Sequence, residues 1–194
     1  MSRMDEQFRF IKEIDKEKGV IRQNYITAAD RRETDSDHAW HMAMMTVLLA
    51  EYADSPIDVL KTVTMVLIHD LVEIDAGDTF AYDEKAQTGK HDREARAADR
   101  IFGLLPPDQA EKLRGLWEEF EEGCTAEAKF ARAMDRIQPL LLNDATDGRA
   151  WREHGVRLEQ VMARNARTHE ASEALWDYAL THFIQPNADK GNLQ

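Results

Sequence analysis

The sequence predicts an all-α protein, a single-domain helical bundle. Three observations lead there. Apolar residues recur at spacings of three and four along most of the chain. No stretch alternates apolar and polar residues as a half-buried strand does. Turn formers punctuate the periodic segments at Gly19, Ser55-Pro56, Leu105-Pro106-Pro107-Asp108 and Gly123. With 194 residues, no internal repeat and no linker composition, residues 1–185 read as one domain and residues 186–194 as a disordered tail.

The elements follow in order. Phe8, Ile11 and Ile14 make a first apolar stripe that ends near Gly19. Residues 20–32 are irregular and carry Arg22, Arg31 and Arg32. Thr34, Asp35 and Ser36 are N-cap side chains by type, and Thr34-x-x-Asp37 approximates a capping box. A long helix should begin there, with His38 in its first turn, and run to about Ala53. Its core stripe is Met42, Met45, Leu48 or Leu49, and Tyr52. Ser55-Pro56 opens the next helix, with proline in its first turn. That helix contains the run TVTMVLIHDLVEIDAGD, residues 62–78, and stops at Gly77. Residues 75–89 are rich in turn formers and read as a loop over a cleft.

Ala95, Ala98, Ile101 or Phe102, and Leu105 mark a further helix. Ala110, Leu113, Trp117 and Phe120 mark another, whose acidic Glu118, Glu119, Glu121 and Glu122 read as a solvated face. Residues 125–143 follow, with Phe130, Met134, Ile137 and Leu141 inward. Pro139 is expected to kink this helix or interrupt its hydrogen bonding. Residues 144–148 are a loop, and residues 156–168 and 172–183 make the last two helices. Trp40, Trp117, Trp151 and Trp176 are assigned to the core.

Composition narrows the function. At 43% hydrophobic and 32% charged, the chain suits an ordinary globular protein. Its net charge of −12 argues against general binding to nucleic-acid polymers or acidic membranes. A small anionic substrate stays open, because a metal and a few arginines can reverse the sign inside one cleft. The single cysteine, Cys124, excludes an internal disulfide and suits a reducing compartment. It has no histidine beside it, so it makes no case for nucleophilic catalysis. No apolar run approaches the roughly 20 residues of a membrane span, and the N-terminus lacks a signal-peptide core, so a cytoplasmic location is expected.

The chemistry gathers in residues 62–78, where His69, Asp70, Glu73, Asp75 and Asp78 fall close together. Asp70 shares a helical stripe with Val63, Val66, Leu67 and Leu71. A carboxylate on an apolar stripe is costly unless it is paired or bound to a metal. Glu73 follows His69 by four and Asp70 by three, so the three point into a common space. His38, His69, Asp70 and Asp135 are metal-ligand types on three separate helical segments. Two imidazoles and two carboxylates suit Mn²⁺, Fe²⁺ or Co²⁺, with Zn²⁺ and Mg²⁺ as alternatives. His69-Asp70 by itself could be a self-satisfied buried pair. His41 reads as packing or as support for a ligand, and Lys90, His91 and Arg93 as surface positions able to close over a substrate. The arginines Arg22, Arg31 and Arg32 could hold phosphate oxygens in a bidentate fork.

The order His, then His-Asp, then Asp, at positions 38, 69–70 and 135, is similar to that of the HD-domain metal-dependent phosphohydrolases. The runs ETDSDHAWHMA, LIHDLVEIDAGD and AMDRIQPLL resemble the branch holding the HD-domain 5′-deoxynucleotidases, over roughly residues 22–142. The resemblance implies an all-α bundle, a homodimer, and one divalent ion held by His38, His69, Asp70 and Asp135. It implies a catalytic acid at Glu73, a further acid at Asp78 and an upstream arginine at Arg22. The implied reaction releases phosphate from a small nucleotide, foremost a deoxyribonucleoside 5′-monophosphate, through attack by a metal-bound water or hydroxide. Members that cleave deoxynucleoside monophosphates carry a tryptophan beside that arginine; here Gln23 follows Arg22 and Tyr25 is the nearest aromatic. Another phosphomonoester or a nucleoside polyphosphate is the alternative substrate. A non-catalytic metal- or nucleotide-binding domain is the alternative class, and it would have no use for Glu73 and Asp78.

Overall fold

The computed structural model of the chain describes residues 1–83 and 88–194. Helix α1 (Arg3–Ile14) starts at Ser2, whose hydroxyl and the Asp5 carboxylate form a reciprocal capping box. Its buried face carries Phe10, which stacks on Phe102 at 6.5 Å, while Phe8 and Ile11 are exposed. The expected stripe is therefore rotated, because both sides of this helix are apolar.

A 3₁₀ turn leads into a two-stranded antiparallel sheet, β1 (Ile21–Tyr25) and β2 (Arg32–Thr34), with Ile21 opposite Thr34 and Tyr25 opposite Arg32. The sequence gives no sign of it because the inward positions are polar. Arg22 and Glu33 face buried partners, and Asn24 donates to the Pro139 carbonyl at 3.1 Å. Alternation along β2 turns Glu33 inward and Arg32 outward.

Helix α2 (Asp35–Leu49) starts where the capping motif places it. The Asp37 N–H donates to Thr34 Oγ1 and the Thr34 N–H donates to Asp37, which sets His38 in the first turn. Met42 and Met45 are buried, joined by Ala39 and Thr46; Leu48 and Tyr52 lie outside the core with Trp40. Helix α3 (Val59–Ile68) begins after Pro56 rather than at it, because Asp58 supplies the N-cap by accepting from the Lys61 N–H at 3.0 Å. It tightens into a 3₁₀ turn over His69–Val72 and continues as α4 (Glu73–Ala76), which takes in Asp75. The tightening changes the rotation per residue. Thr62, Met65, Val66, Ile68, His69 and Asp70 are buried while Leu67 is exposed. Gly77, at φ 75°, ends the element in a backbone conformation that suits glycine. The expected loop at 75–89 is thus shorter, and its residues 84–87 lie outside the described residues.

Helices α5 (Lys90–Phe102) and α6 (Pro107–Glu122) enclose Ile101, Phe102 and Trp117 with Phe10 of α1. Helix α7 (Ala126–Ala145), capped by Thr125, runs through Pro139 without a break. Proline has no N–H to return to the carbonyl four residues back, which is that of Asp135. Met134, Ile137, Leu140 and Leu142 of α7 are buried; Leu141 is half-buried. The main core packs Met42 of α2, Met65 and Val66 of α3, and Phe130 and Met134 of α7.

Helices α8 (Arg149–His154), α9 (Leu158–Asn165), α10 (Glu173–Ala179) and α11 (Gln185–Asp189) complete the chain. Residues 186–194, expected to be disordered, are packed. Asn187 and Leu193 are buried, the Gln194 N–H donates to the Val156 carbonyl at 3.0 Å, and the Leu158 N–H donates to the Gln194 carbonyl at 2.9 Å. The polar composition that suggested disorder is used in hydrogen bonds, among them Asn192 to Asn187 at 2.7 Å. Trp117 and Trp151 are in the core, whereas Trp40 is 65% exposed. No helix among the described residues is long and apolar enough to cross a membrane.

Candidate metal centre

A cleft of about 370 Å³ opens between β1, the segment from His69 to Tyr82, and helices α5, α7 and α9. At its base His38, His69 and Asp135 offer ligand-type atoms that all lie within 4.8 Å of one another. His38 Nε2 is 3.2 Å from Asp135 Oδ1, and His69 Nε2 is 3.9 Å from the same oxygen. Asp70 Oδ2 joins the group 3.0 Å from His69 Nε2, and also accepts from Arg22 at 2.8 Å. The four residues come from α2, from the 3₁₀ turn after α3 and from α7.

The far nitrogens explain the orientation. His38 Nδ1 is 2.8 Å from Gln138 Oε1, and His69 Nδ1 is 2.9 Å from the Val66 carbonyl. Both partners are oxygens that only accept, so Nδ1 carries the proton in each ring and the Nε2 lone pairs face the carboxylates. The Gln138 amide is fixed in turn, because its nitrogen donates to Glu33 Oε1 at 2.5 Å and lies 3.2 Å from His41 Nδ1. His69 Nε2 is buried without a hydrogen-bond partner. A lone pair aimed at carboxylate oxygens with no donor between them is an arrangement that a cation completes.

The same carboxylates also draw a proton to His69 Nε2, in the place a cation would take. Burial alone would push the His69 imidazole down, but the Asp70 and Asp135 carboxylates outweigh it and hold it up at about 10. Burial, aided by Arg22, pushes His38 down to about 4. Against the effect of their burial, Asp70 and Asp135 are held below the usual carboxylate range by these imidazoles, and Asp70 by Arg22 as well.

A second group lies alongside. Asp35, Glu73 and Asp78 also bring oxygens within 4.8 Å of one another. Asp35 Oδ2 and Glu73 Oε2 are buried with no hydrogen-bond partner. Burial and the neighbouring Asp70 carboxylate push Asp35 up to about 8 and Glu73 well above its usual range. Burial raises Asp78 too. Arg22 is the cation these acids share, at 3.2 Å from Asp35 and 2.8 Å from Asp70. Arg22, Lys90 at 4.0 Å from Glu73 and Arg164 at 3.6 Å from Asp135 face five carboxyls, Asp35, Asp70, Glu73, Asp78 and Asp135, and beyond burial the raised Asp35 and Glu73 reflect a mutual repulsion that a divalent ion would relieve. Both oxygen-rich groups fit a metal.

The three arginines of the sequence reading separate. Arg22 is inside the site, engaged with acids. Arg31 pairs with Asp37 at 2.7 Å, and Arg32 with Gln23 and Glu153; neither lines the cleft, because both project from the outer side of the hairpin. Lys90, read as a surface residue, lines the cleft with Nζ 3.2 Å from Glu94 and 4.0 Å from Glu73. His91 lines it too, while Arg93 donates to the Thr88 carbonyl at 3.0 Å. Glu121, assigned to a solvated face, is also in the lining. Sequence reasoning offers Asp35 only as a cap and Arg132 or Arg136 only as a structural partner for Asp135, and gives no role to Gln138 or Arg164; the structure pairs Asp135 with Arg164, at 3.6 Å. Asp35 precedes His38 by three and Gln138 follows Asp135 by three, so a search of the i±3 positions around each ligand would have found them. Phe80, Tyr82, Phe120 and Trp151 give the cleft an apolar side.

The profile of the HD domain family matches residues 14–176. The chain is 33% identical over 134 residues to the 5′-deoxynucleotidase HDDC2 of Homo sapiens, covering 69% of this chain and 64% of that protein. To the 5′-deoxynucleotidase HDDC2 of Xenopus laevis it is 32% identical, covering 69% and 65%. The chain thus spans just under two thirds of these relatives' length. A crystal structure described as a predicted metal-dependent phosphohydrolase, from Magnetospirillum magnetotacticum MS-1, is similar with a TM-score of 0.94 and 47% identity, covering 99% of this chain and 96% of that one.

Proposed function

This chain belongs to the HD domain family, and from that premise we propose that it is a metal-dependent phosphohydrolase that releases phosphate from a deoxyribonucleoside 5′-monophosphate. The observation that carries the proposal is the convergence of His38, His69, Asp70 and Asp135, with both Nδ1 atoms occupied by oxygen acceptors and both Nε2 atoms turned to the carboxylates. The substrate class is supported by the 5′-deoxynucleotidase relatives and by the aromatic side of the cleft, which suits a base.

In this proposal His38, His69, Asp70 and Asp135 hold a divalent ion. Bound there, the ion supplies Lewis-acid stabilisation of phosphoryl oxygens and lowers the pKa of water. The protein does the rest by position. Gln138 and the Val66 carbonyl keep the two imidazoles in the ligand tautomer. Glu73, whose carboxyl is pushed up by burial and by Asp70, Asp35 and Asp78, is placed to pass a proton to the leaving 5′ oxygen. Asp78, at the cleft, orients the attacking water or the sugar. Arg22 holds Asp70 and Asp35 in register.

A homodimer belongs to the same proposal. Trp40, Met44, Val47 and Leu48, exposed along the outer side of α2, support it, and sedimentation equilibrium tests it. For the activity, the test is phosphate release by protein loaded with Mn²⁺ or Co²⁺ on a panel of ribo- and deoxyribonucleoside monophosphates. Release is expected, with the deoxy substrates preferred. Binding without turnover across the whole panel would make the chain a non-catalytic domain.

A further inference from the structure

The metal groups leave one wall of the cleft unaccounted for. Arg132 and Arg136 stand on α7 on either side of Asp135, and Arg164 comes from α9; all three line the cleft. Arg132 is built in. Its guanidinium donates to the Phe120 carbonyl at 3.1 Å and to that of Glu121, and lies 5.7 Å from the centre of the Phe120 ring. Gly123 makes room for it, since a Cβ there would come within 2.8 Å of Arg132 Cδ. Arg164 Nη2 is 3.6 Å from Asp135 Oδ2, so it reaches the edge of the proposed metal group. Arg136 is half-buried and makes no hydrogen bond or ion pair among the described residues.

The cations behind this wall are already matched: Arg167 lies 2.7 Å and Lys129 3.6 Å from Glu170. Among the described residues Asp135 is the one acid paired with any of the three cleft arginines, and Asp135 is a proposed ligand. In a chain of net charge −12, three guanidiniums gathered with so little compensation are held together at a cost that an anion would remove. On the opposite wall Arg22 and Lys90 are already engaged, with Asp70 at 2.8 Å and Glu94 at 3.2 Å, beside Glu73 and Asp78. The guanidinium fork matches the non-bridging oxygens of a phosphate.

We propose that Arg132, Arg136 and Arg164 form a subsite that grips the phosphate group. This rests on the phosphohydrolase reading only for the identity of the substrate. The same oxygens are present on the inorganic phosphate released, so the product should bind the same three residues.

The test is isothermal titration of inorganic phosphate into wild-type, R136Q, R136K and R164Q protein at fixed ionic strength, metal-free and with Mn²⁺. Circular dichroism of each variant accompanies it. R136Q and R164Q should each weaken phosphate binding roughly tenfold or more in both arms, as expected for loss of a charge-assisted contact. R136K should recover part of the loss, and R31Q, outside the cleft, should bind like wild type. KM for the nucleotide should rise in parallel with the phosphate constant, more than kcat falls. Wild-type affinity in both R136Q and R164Q overturns the proposal, as does failure of the wild type to bind phosphate. A wild type that binds phosphate through these arginines yet hydrolyses no nucleotide sinks the hydrolase reading and leaves the anion subsite standing.

Discussion

Gln138→Met isolates the contribution of one amide to the proposed metal centre. Met keeps the length and nearly the volume of the side chain but offers no oxygen to the His38 Nδ1–H and no N–H to Glu33. Both contacts are short, at 2.8 and 2.5 Å, and both partners are almost fully buried. Two buried polar groups then lose a partner, at about 1–3 kcal/mol each, so the variant should be less stable by a few kcal/mol. The His38 ring also loses what fixes its tautomer. Removing such a support from a metal-binding histidine costs roughly 10–100-fold in affinity, which is about 1.4–2.7 kcal/mol. Competition titration of Co²⁺ or Mn²⁺ into metal-free protein, at a temperature where the variant is folded, measures it. Gln138→Glu keeps the acceptor for Nδ1–H and should retain more affinity than Gln138→Met. An affinity for Gln138→Met within twofold of wild type would refute the reasoning, because the Nε2 lone pair would then be available without Gln138.

Two further predictions concern the acids. Glu73→Gln should keep a metal on His38, His69, Asp70 and Asp135 while turnover falls roughly 10²–10⁴-fold; metal analysis alongside kinetics decides it, and loss of that metal would make Glu73 a ligand. Glu17 is buried, and Oε1 has no hydrogen-bond partner; burial, then repulsion from Asp70, push it from its ordinary 4.5 to about 7. The folded chain therefore holds this proton where the unfolded chain has lost it, so stability falls as pH rises from 4.5 to about 7 and the deficit persists above. At 1.36 kcal/mol per pH unit the deficit is about 3 kcal/mol. Metal-free Glu17→Gln should melt about 6–12 °C above wild type at pH 8 and level with it near pH 4. Equal melting at both pH values would show that the Glu17 charge is not destabilising.

Much of the architecture could be read from local chemistry. Thr34 and Asp37 start α2 through a motif that depends on neighbouring residues alone, and this sets His38 correctly in the first turn. Gly77 and Gly123 end their helices with backbone angles that suit glycine. Errors came where a residue's partner is remote. The strand pair carries charged side chains inward, so no alternation of apolar residues betrays it; its partners lie on α7 and in the turn after α3. Helices α1 and α2 are apolar on two sides, and periodicity cannot say which side meets the core: Phe8 and Tyr52 are exposed, and of the pair Leu48 or Leu49 it is Leu49 that packs on the core. Asp35 looked like one of three capping residues, and only the tertiary fold sets it against Glu73 and Asp78. Arg164 leaves no sequence signal for the same reason, since α7 and α9 meet only after folding, whereas Arg132 and Arg136 stand beside Asp135 on α7 and are legible as its neighbours.

Pro139 leaves the backbone rung at Asp135 open, and its own carbonyl is held by two side-chain amides, Asn143 at 3.0 Å from within the helix and Asn24 at 3.1 Å from β1. Two residues along the same strand, Arg22 reaches Asp70. The hairpin is thereby riveted at two points across the wall that carries the ligand carboxylates. It cannot swing out like a door without shearing both fastenings.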